Sequence, residues 1–246
     1  MNLPVMIRKL HAPIHASWQK FLTPDVLHDL NEIETQIETE GDYTPDTGRI
    51  LHFLTLDLSS IQVVILGQDP YPQKGVATGR AFEVGTLTSW HEPFKNVSLK
   101  NIIRAIYHAT ENKYATYSEI KQRMGHSQFE STFTLAAPQQ LFKNWEKQGV
   151  LMLNTAFTCR IGSPGSHSSL WASFTHQLLS YINKNNPSII WFLWGNHAKA
   201  AVDDLQLTHT FESNHPMICK PGENDFLFGK RNAFRETAHL INWLGH

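Results

Sequence analysis

VVILGQDPYPQKGVATGRAFEV, residues 63–84, opens as a buried strand and breaks into a loop carrying a carboxylate, a tyrosine ring and two prolines. The residue before a proline is pushed out of the helical region into extended backbone. Pro70 therefore fixes Asp69, and Pro72 restrains Tyr71. An isolated Asp-Pro reads as a plain turn. The run Gln68-Asp69-Pro70-Tyr71-Pro72, set directly after an apolar strand, reads instead as a site that needs its carboxylate and ring already in place.

Working outward, SIQVVILG is a short apolar run ending at Gly67, the pattern of a strand buried on both faces. VLMLNTAF from Val150 and PSIIWFLWG from Pro187 repeat it, and LTHTFESNHP from Leu207 is a weaker fourth. Helical patterns lie around and between them. SWQKFL is read as a first helix. TPDVLHDLNEIETQIETE follows, with Thr23 as N-cap, Pro24 at the first position and Leu27, Leu30, Ile33 and Ile37 on one face. VSLKNIIRAIYHATE starts at Val97, and FTLAAPQQLFKNWEKQG ends in a helix stopped by Gly149. SLWASFTHQLLSYINKN presents Leu170, Phe174, Leu178 and Ile182 together. NHAKAAV is a short helix, and FGKRNAFRETAHLINWLG is read as the closing one. Apolar strands alternating with amphipathic helices predict a single α/β domain over residues 1–246. Its expected form is a three-layer α/β/α sandwich with a central, mainly parallel four-stranded sheet.

Hydrophobic residues at 41% and charged residues at 17% fit a soluble globular core. No apolar run approaches the roughly 18 residues of a membrane span. The start, MNLPVMIRKLHAPIH, lacks a signal pattern, so a cytoplasmic protein is expected, without a membrane partner and as a monomer. Two cysteines, Cys159 and Cys219, are too few for a disulfide framework or a four-cysteine cluster. The 14 histidines form no H-E-x-x-H and no H-x-E with a following C-x-x-C, so neither a metal nor a cofactor is expected. Net charge −1 and pI near 6.9 argue against a broad nonspecific nucleic-acid binder but leave room for a local basic groove.

Parallel sheets bind ligands beyond the carboxyl ends of their strands. Those ends carry Gln68, Asp69 and Tyr71; then Asn154; then Gly195, Asn196 and His197; then Ser213, Asn214 and His215. Alone, Asn154 reads as a cap or turn and His215 as structural. Together, an Asp, a Tyr, an Asn and a His would share one pocket. No G-x-S-x-G, P-loop or dinucleotide fingerprint is present, so acyl transfer and ordinary nucleotide binding are poorly supported. An acid with a His donor fits bond cleavage by a positioned water.

GQDPY, GRAFEV, VLMLNTAFT, IIWFLWGNHA and NHP followed by FLFGKRNAF are collinear with, and resemble, the family 1 uracil-DNA glycosylases from about Ser17 to the C-terminal region. The resemblance implies removal of uracil from single- or double-stranded DNA by base flipping and N-glycosidic hydrolysis, leaving an abasic site for base-excision repair. It gives Asp69 the role of orienting the attacking water and stabilising a sugar cation, and His215 that of donor to uracil O2. It makes Tyr71 the ring that excludes the thymine methyl, Phe82 the stacking platform, Asn154 the reader of the uracil edge, and Gln68 a main-chain contact. A DNA-mimicking protein inhibitor is an implied partner.

The chain departs from that pattern in places. Pro72 stands where the family usually has His. Ser98 and Asn101 are kept in FKNVSLKN without the family's prolines, so Ser98 reads equally as a phosphate contact or a helix cap. After His215 the family reads H-P-S-P-L; here the run is HPMICKPGENDFLFG. Met217 and Ile218 read equally as an apolar wedge or as core. Lys220, Lys230 and Arg231 would attract phosphates, whereas Glu223 and Asp225 would repel them if they faced DNA. His167 and Arg160, in RIGSPGSHSSLW, are expected to touch the DNA backbone, and residues 114–133 read as an insertion. The altered loop also leaves open the same fold acting on another modified base, or a weakly active DNA-binding scaffold.

Overall fold

In a computed structural model, which describes residues 3–125 and 133–246, four strands form one parallel sheet. They are β1 (Val63–Gly67), β2 (Val150–Asn154), β3 (Ile190–Trp194) and β4 (His209–Ser213), in the spatial order β2-β1-β3-β4. Val63 pairs with Val150 on one side and Ile190 on the other, and Ile190 pairs with His209. The fourth strand, the weakest in sequence, lies at one edge and is only partly covered: His209 and Glu212 are exposed, and the Arg231 guanidinium lies 4.0 Å from the centre of the Phe211 ring.

The three apolar runs lack polar–apolar alternation because both faces are covered. Val64, Leu66, Leu151, Leu153, Trp191 and Leu193 face one core. That core is closed by α1 (Pro24–Thr39) through Leu30, Ile33 and Ile37 and by α5 (Ser168–Asn185) through Phe174, Leu178 and Ile182. Val63, Ile65, Val150, Met152, Phe192 and Trp194 face the other. There α2 (Val97–Glu111) supplies Leu99, Ile103 and Ile106, and α4 (Pro138–Lys147) supplies Leu141 and Trp145. Truncating any of these buried leucines to alanine is expected to cost about 2–5 kcal/mol. Between α2 and α4 lies α3 (Tyr117–Gly125), so the expected insertion, residues 114–133, contains a helix; its residues 126–132 lie outside the described residues.

Helix starts follow local chemistry. The Thr23 hydroxyl accepts from Val26 N–H at 3.3 Å, with Pro24 at the first position. Two helices are shorter than their sequence pattern. SWQKFL forms only a 3-10 turn, Ala16–Trp18, because capping residues stand on both sides: the His15 ring accepts from Ser17 N–H, and Thr23 opens α1. The closing run forms only Ala233–Glu236. Thr237 ends it, its hydroxyl donating back to Ala233 O at 2.6 Å while accepting from the buried Trp243 indole at 2.9 Å, so the chain turns to bury Trp243.

The chain leaves β1 for β2 across one face of the sheet, then crosses the other face through α5 to reach β3 on the far side of β1. The chain leaves β1 and β3 toward opposite faces of the sheet, and a crevice opens at the carboxyl ends.

Candidate active site at the carboxyl end of the sheet

The parallel ladder runs past the ends of β1 and β2 and becomes a latch. Thr155 N–H donates to Gly67 O at 3.1 Å, Ala156 N–H to Gln68 O at 2.8 Å, and the Thr155 hydroxyl to Gln68 O at 3.0 Å. The hydroxyl's single proton is thereby used, so His197 Nε2, 2.6 Å from it, is the donor in that contact. Farther along, Cys159 Sγ donates to Pro70 O at 3.4 Å and Gly162 N–H to Pro72 O at 2.9 Å. Both prolines of the run are thus tied to the loop after β2, and the backbone expected to be stiff is also bonded from outside. Asp69 Oδ2 accepts the Gly165 N–H at 2.5 Å. Burial pushes the Asp69 carboxyl above the ordinary carboxylate range, opposed by the Gly165 N–H and by His197.

Gly67 makes room for Asn154. A Cβ on Gly67 would stand 2.4 Å from Asn154 Oδ1. Asn154 is buried, and no hydrogen bond from its amide to another protein group is seen among the described residues. Its donors and acceptor are therefore free for a ligand. Gly67→Ala is expected to displace this amide while leaving the strand intact. A misplacement of about 1 Å at such a site lowers activity about 10²-fold, to be checked by kcat/KM alongside thermal unfolding.

Tyr71 and Phe82 form the aromatic wall. The Tyr71 hydroxyl donates to Phe82 O at 3.3 Å and is bonded by the Asn96 side chain; burial pushes the phenol up to about 12. Phe82 packs against Trp194 at 5.4 Å and lies 6.4 Å from the His215 ring. Its φ is +65°, left-handed backbone that a bulky residue adopts at a cost on the order of 1–3 kcal/mol.

His215 closes the site from the end of β4. Its Nδ1 accepts the Met217 N–H at 3.1 Å, so in the neutral ring the proton sits on Nε2. Burial holds its pKa below the usual histidine value. Gly195 admits the ring, since a Cβ there would lie 2.9 Å from His215 Cβ. Asn101 fixes the following turn, donating to Pro216 O at 2.6 Å. Gln68, Asp69, Tyr71, Phe82, Ser98, Asn154, His215 and Met217 all line one cavity of about 210 Å³. The ends of β1, β2 and β4 meet there; the end of β3 does not line it, Gly195 packing behind His215 and His197 bonding to Thr155 instead.

The pattern of the uracil DNA glycosylase superfamily matches residues 55–234. This chain belongs to that superfamily. The uracil-DNA glycosylase of Escherichia fergusonii is 34% identical over 82% of this chain and 80% of its own length, and that of Escherichia coli K12 is 33% identical over the same shares. Among solved structures, the UNG of Nitratifractor salsuginis superposes with a TM-score of 0.68 over 89% of this chain and 91% of that one, at 22% identity, a likeness of fold. Mimivirus UNG Y322L, in complex with UGI, gives 0.61 at 25% identity, over 86% of this chain and 72% of that one.

Within this glycosylase frame the outer residues divide. Ser98 is the second residue of α2, whose N-cap position is held by Asn96 without a side-chain cap bond, and it lines the cavity. Met217 and Ile218 are 58% and 62% exposed, so the core alternative for them is removed. Lys220 stands on the same loop, and its N–H donates to Asp225 Oδ2 at 2.8 Å. Asp225 is no surface charge: it is buried, and its other oxygen accepts Leu227 N–H and Phe228 N–H, each at 2.9 Å. Glu223 is held by Lys230 at 2.5 Å, and Arg231 by Glu236 at 2.7 Å.

The expectation for His167 is corrected. Its side chain is fully buried, with Nδ1 on the Thr158 hydroxyl at 2.8 Å and Nε2 3.4 Å from Glu40 Oε2. The Trp171 indole donates to the same hydroxyl at 2.7 Å. This histidine braces the loop from inside and offers DNA no face. Arg160 is half exposed and near Glu40 at 3.8 Å. Gly165 acts through its backbone N–H, Thr155 through its N–H and hydroxyl, and Asp225 through a buried carboxylate that accepts three backbone N–H groups, and no sequence motif marks these roles.

Proposed function

We propose that this chain hydrolyses the N-glycosidic bond of uracil in DNA, acting as a one-domain, monomeric, cytoplasmic repair enzyme that leaves an abasic site. The observation that carries this reading is the shared cavity in which a fixed carboxylate, an Nε2-protonated imidazole and an unpartnered amide meet.

Breaking the bond leaves positive charge on the sugar and negative charge on the base. Asp69, pinned through Oδ2, keeps Oδ1 for the water and sets its negative charge beside the sugar cation. The Nε2–H of His215 faces the oxygen on which the base's charge develops. Both groups interact more strongly with the transition state than with the ground state. Uracil offers an N3–H donor and an O4 acceptor, and cytosine reverses both. An Asn154 amide held in one orientation matches uracil and leaves cytosine with unpaired polar groups. Tyr71 fills the space of a 5-methyl group, and Phe82 supplies the face on which the flipped base stacks. Gln68 contributes main chain at the cavity edge.

A base in a duplex must first be extruded, at a cost of a few kcal/mol. Met217 and Ile218 form an exposed apolar tip at the cavity mouth, on a loop braced by Asn101 and Asp225. They fill the place in the stack, while Lys220 and Ser98 meet phosphates. Replacing both apolar residues by alanine is expected to lower release from duplex DNA roughly 10- to 100-fold, the equivalent of part of that extrusion term. Release from single strands should change by less than about twofold, and equal losses on both substrates would remove the wedge. With net charge −1, phosphate contacts are local, and duplex affinity should fall with salt. The mimivirus UNG complex with UGI supports counting a DNA-mimicking protein inhibitor among the partners of the same surface.

The test of the function itself is base release from oligonucleotides carrying uracil, thymine or cytosine at one position. Release of uracil alone is expected; release of none overturns the reading.

A further inference from the structure

Between β1 and α2 the chain runs from Gln68 to Asn96 without a helix or strand, yet it carries the aromatic platform of the site. Phe82 sits there at φ +65°, a conformation that persists only where the surroundings over-determine it. Its own ring contacts, Trp194 and His215, lie on the sheet side. Two residues before it, the Arg80 side chain, which also lines the cavity, is only 12% exposed. Its Nε donates to Glu146 Oε1 at 3.0 Å and its Nη2 to Glu146 Oε2 at 2.5 Å, a two-pronged grip on α4. Its Nη1 donates to Glu83 Oε2 at 3.1 Å, one residue after Phe82. The same oxygen takes the Thr78 hydroxyl at 2.6 Å, and His52 stands 2.8 Å from Glu146 Oε1.

We propose that Arg80 is a positioning residue: its buried guanidinium, forked between Glu146 on α4 and Glu83, locks Phe82 in its left-handed conformation and sets the plane on which the base stacks. The fork brackets Phe82, gripping the chain at position 80 by covalent connection and at position 83 by hydrogen bond. Two further bonds complete the bracket, Ala81 N–H to Met152 O at 3.2 Å and the Tyr71 hydroxyl to Phe82 O. Only a planar guanidinium meets two carboxylates in this way; an ammonium keeps the charge and loses the fork. The inference rests on the reading of the cavity as a base pocket.

Arg80→Lys separates positioning from bulk stability. It is expected to weaken inhibition by free uracil about tenfold and to raise KM for a uracil-containing single strand more than it lowers kcat. In a Phe82→Ala background the same change should weaken inhibition less than twofold, because there is no longer a ring to aim. Equal losses in both backgrounds, or none in either, overturn the proposal. A second readout is independent of activity. In a crystal structure of Arg80→Lys the φ of Phe82 should leave the left-handed region, and retention near +65° overturns the clamp. A wild-type protein that releases no uracil marks failure of the functional reading instead, and the φ of Phe82 then decides the clamp alone. Should Arg80→Lys not fold, Glu83→Gln, which leaves the Arg80–Glu146 pair in place, carries the same cycle.

Discussion

Asp69→Asn is expected to lower uracil release by 10²–10⁴-fold while thermal stability at neutral pH stays level or rises. The rate prediction follows from charge. Asparagine preserves shape but has no negative charge to set against the sugar cation and no base strength for the water, and such a group contributes a factor of that size. The stability prediction follows from linkage. Burial raises the Asp69 pKa, so the folded chain holds the proton more tightly than the unfolded chain does. Ionised Asp69 therefore detracts from stability, increasingly so as pH rises from the unfolded pKa through the folded one. Removing the charge relieves this at neutral pH and weakens the Gly165 contact and the attraction to His197, both smaller than the burial effect. Opposite signs in activity and stability are the mark of a group kept for chemistry. The same shift sets the acid limb of the wild-type pH–rate profile. Activity should fall below a midpoint lying above the ordinary aspartate value of about 3.9, and the limb should vanish in whatever activity Asp69→Asn retains. A variant with full activity would remove Asp69 from the site.

The parts of this protein that could be read from its sequence are those where local chemistry and burial agree. Three continuous apolar runs specify strands covered on both faces, and the turn residues after them specify the end where ligands gather. Thr23-Pro24 announces a helix start because cap and fixed φ act within one turn. The overreached closing helix failed for a non-local reason. The Trp243 indole needs an acceptor, and Thr237 supplies it by ending Ala233–Glu236. His167 failed in the same way: beside Arg160 it looks like a surface group, but the Thr158 hydroxyl and Glu40 draw it inside. Asp225 looked like a repulsive charge and is the buried acceptor of three backbone N–H groups. Arg80 stands within GRAFEV, a motif quoted for Phe82, and only the positions of Glu146 and Glu83 give it a role.

His215→Leu is the second large effect. Leucine is close to histidine in size and offers no donor, so the oxygen on which the base's charge develops loses its partner in the transition state. Deleting one such preorganised donor lowers kcat by about 10²–10³. Because the donor acts on charge absent from the ground state, kcat and kcat/KM should fall together and KM should stay near its original value. The substitution also takes the acceptor from Met217 N–H, the bond that fixes the ring's tautomer and joins the ring to the wedge loop. Duplex substrates should therefore suffer more than single strands, by a further factor that the Met217 and Ile218 alanine variants do not show once His215 is gone. Sign again separates the roles. Burial lowers the His215 pKa, so its protonation opposes folding, and wild-type stability should decline as pH falls through the unfolded histidine range near 6.5. The leucine variant should lose that part of the decline. Its stability near pH 5 relative to pH 8 should exceed that of the wild type even as its catalysis collapses. A variant that releases uracil at the wild-type rate would show that the donor lies elsewhere on the cavity wall.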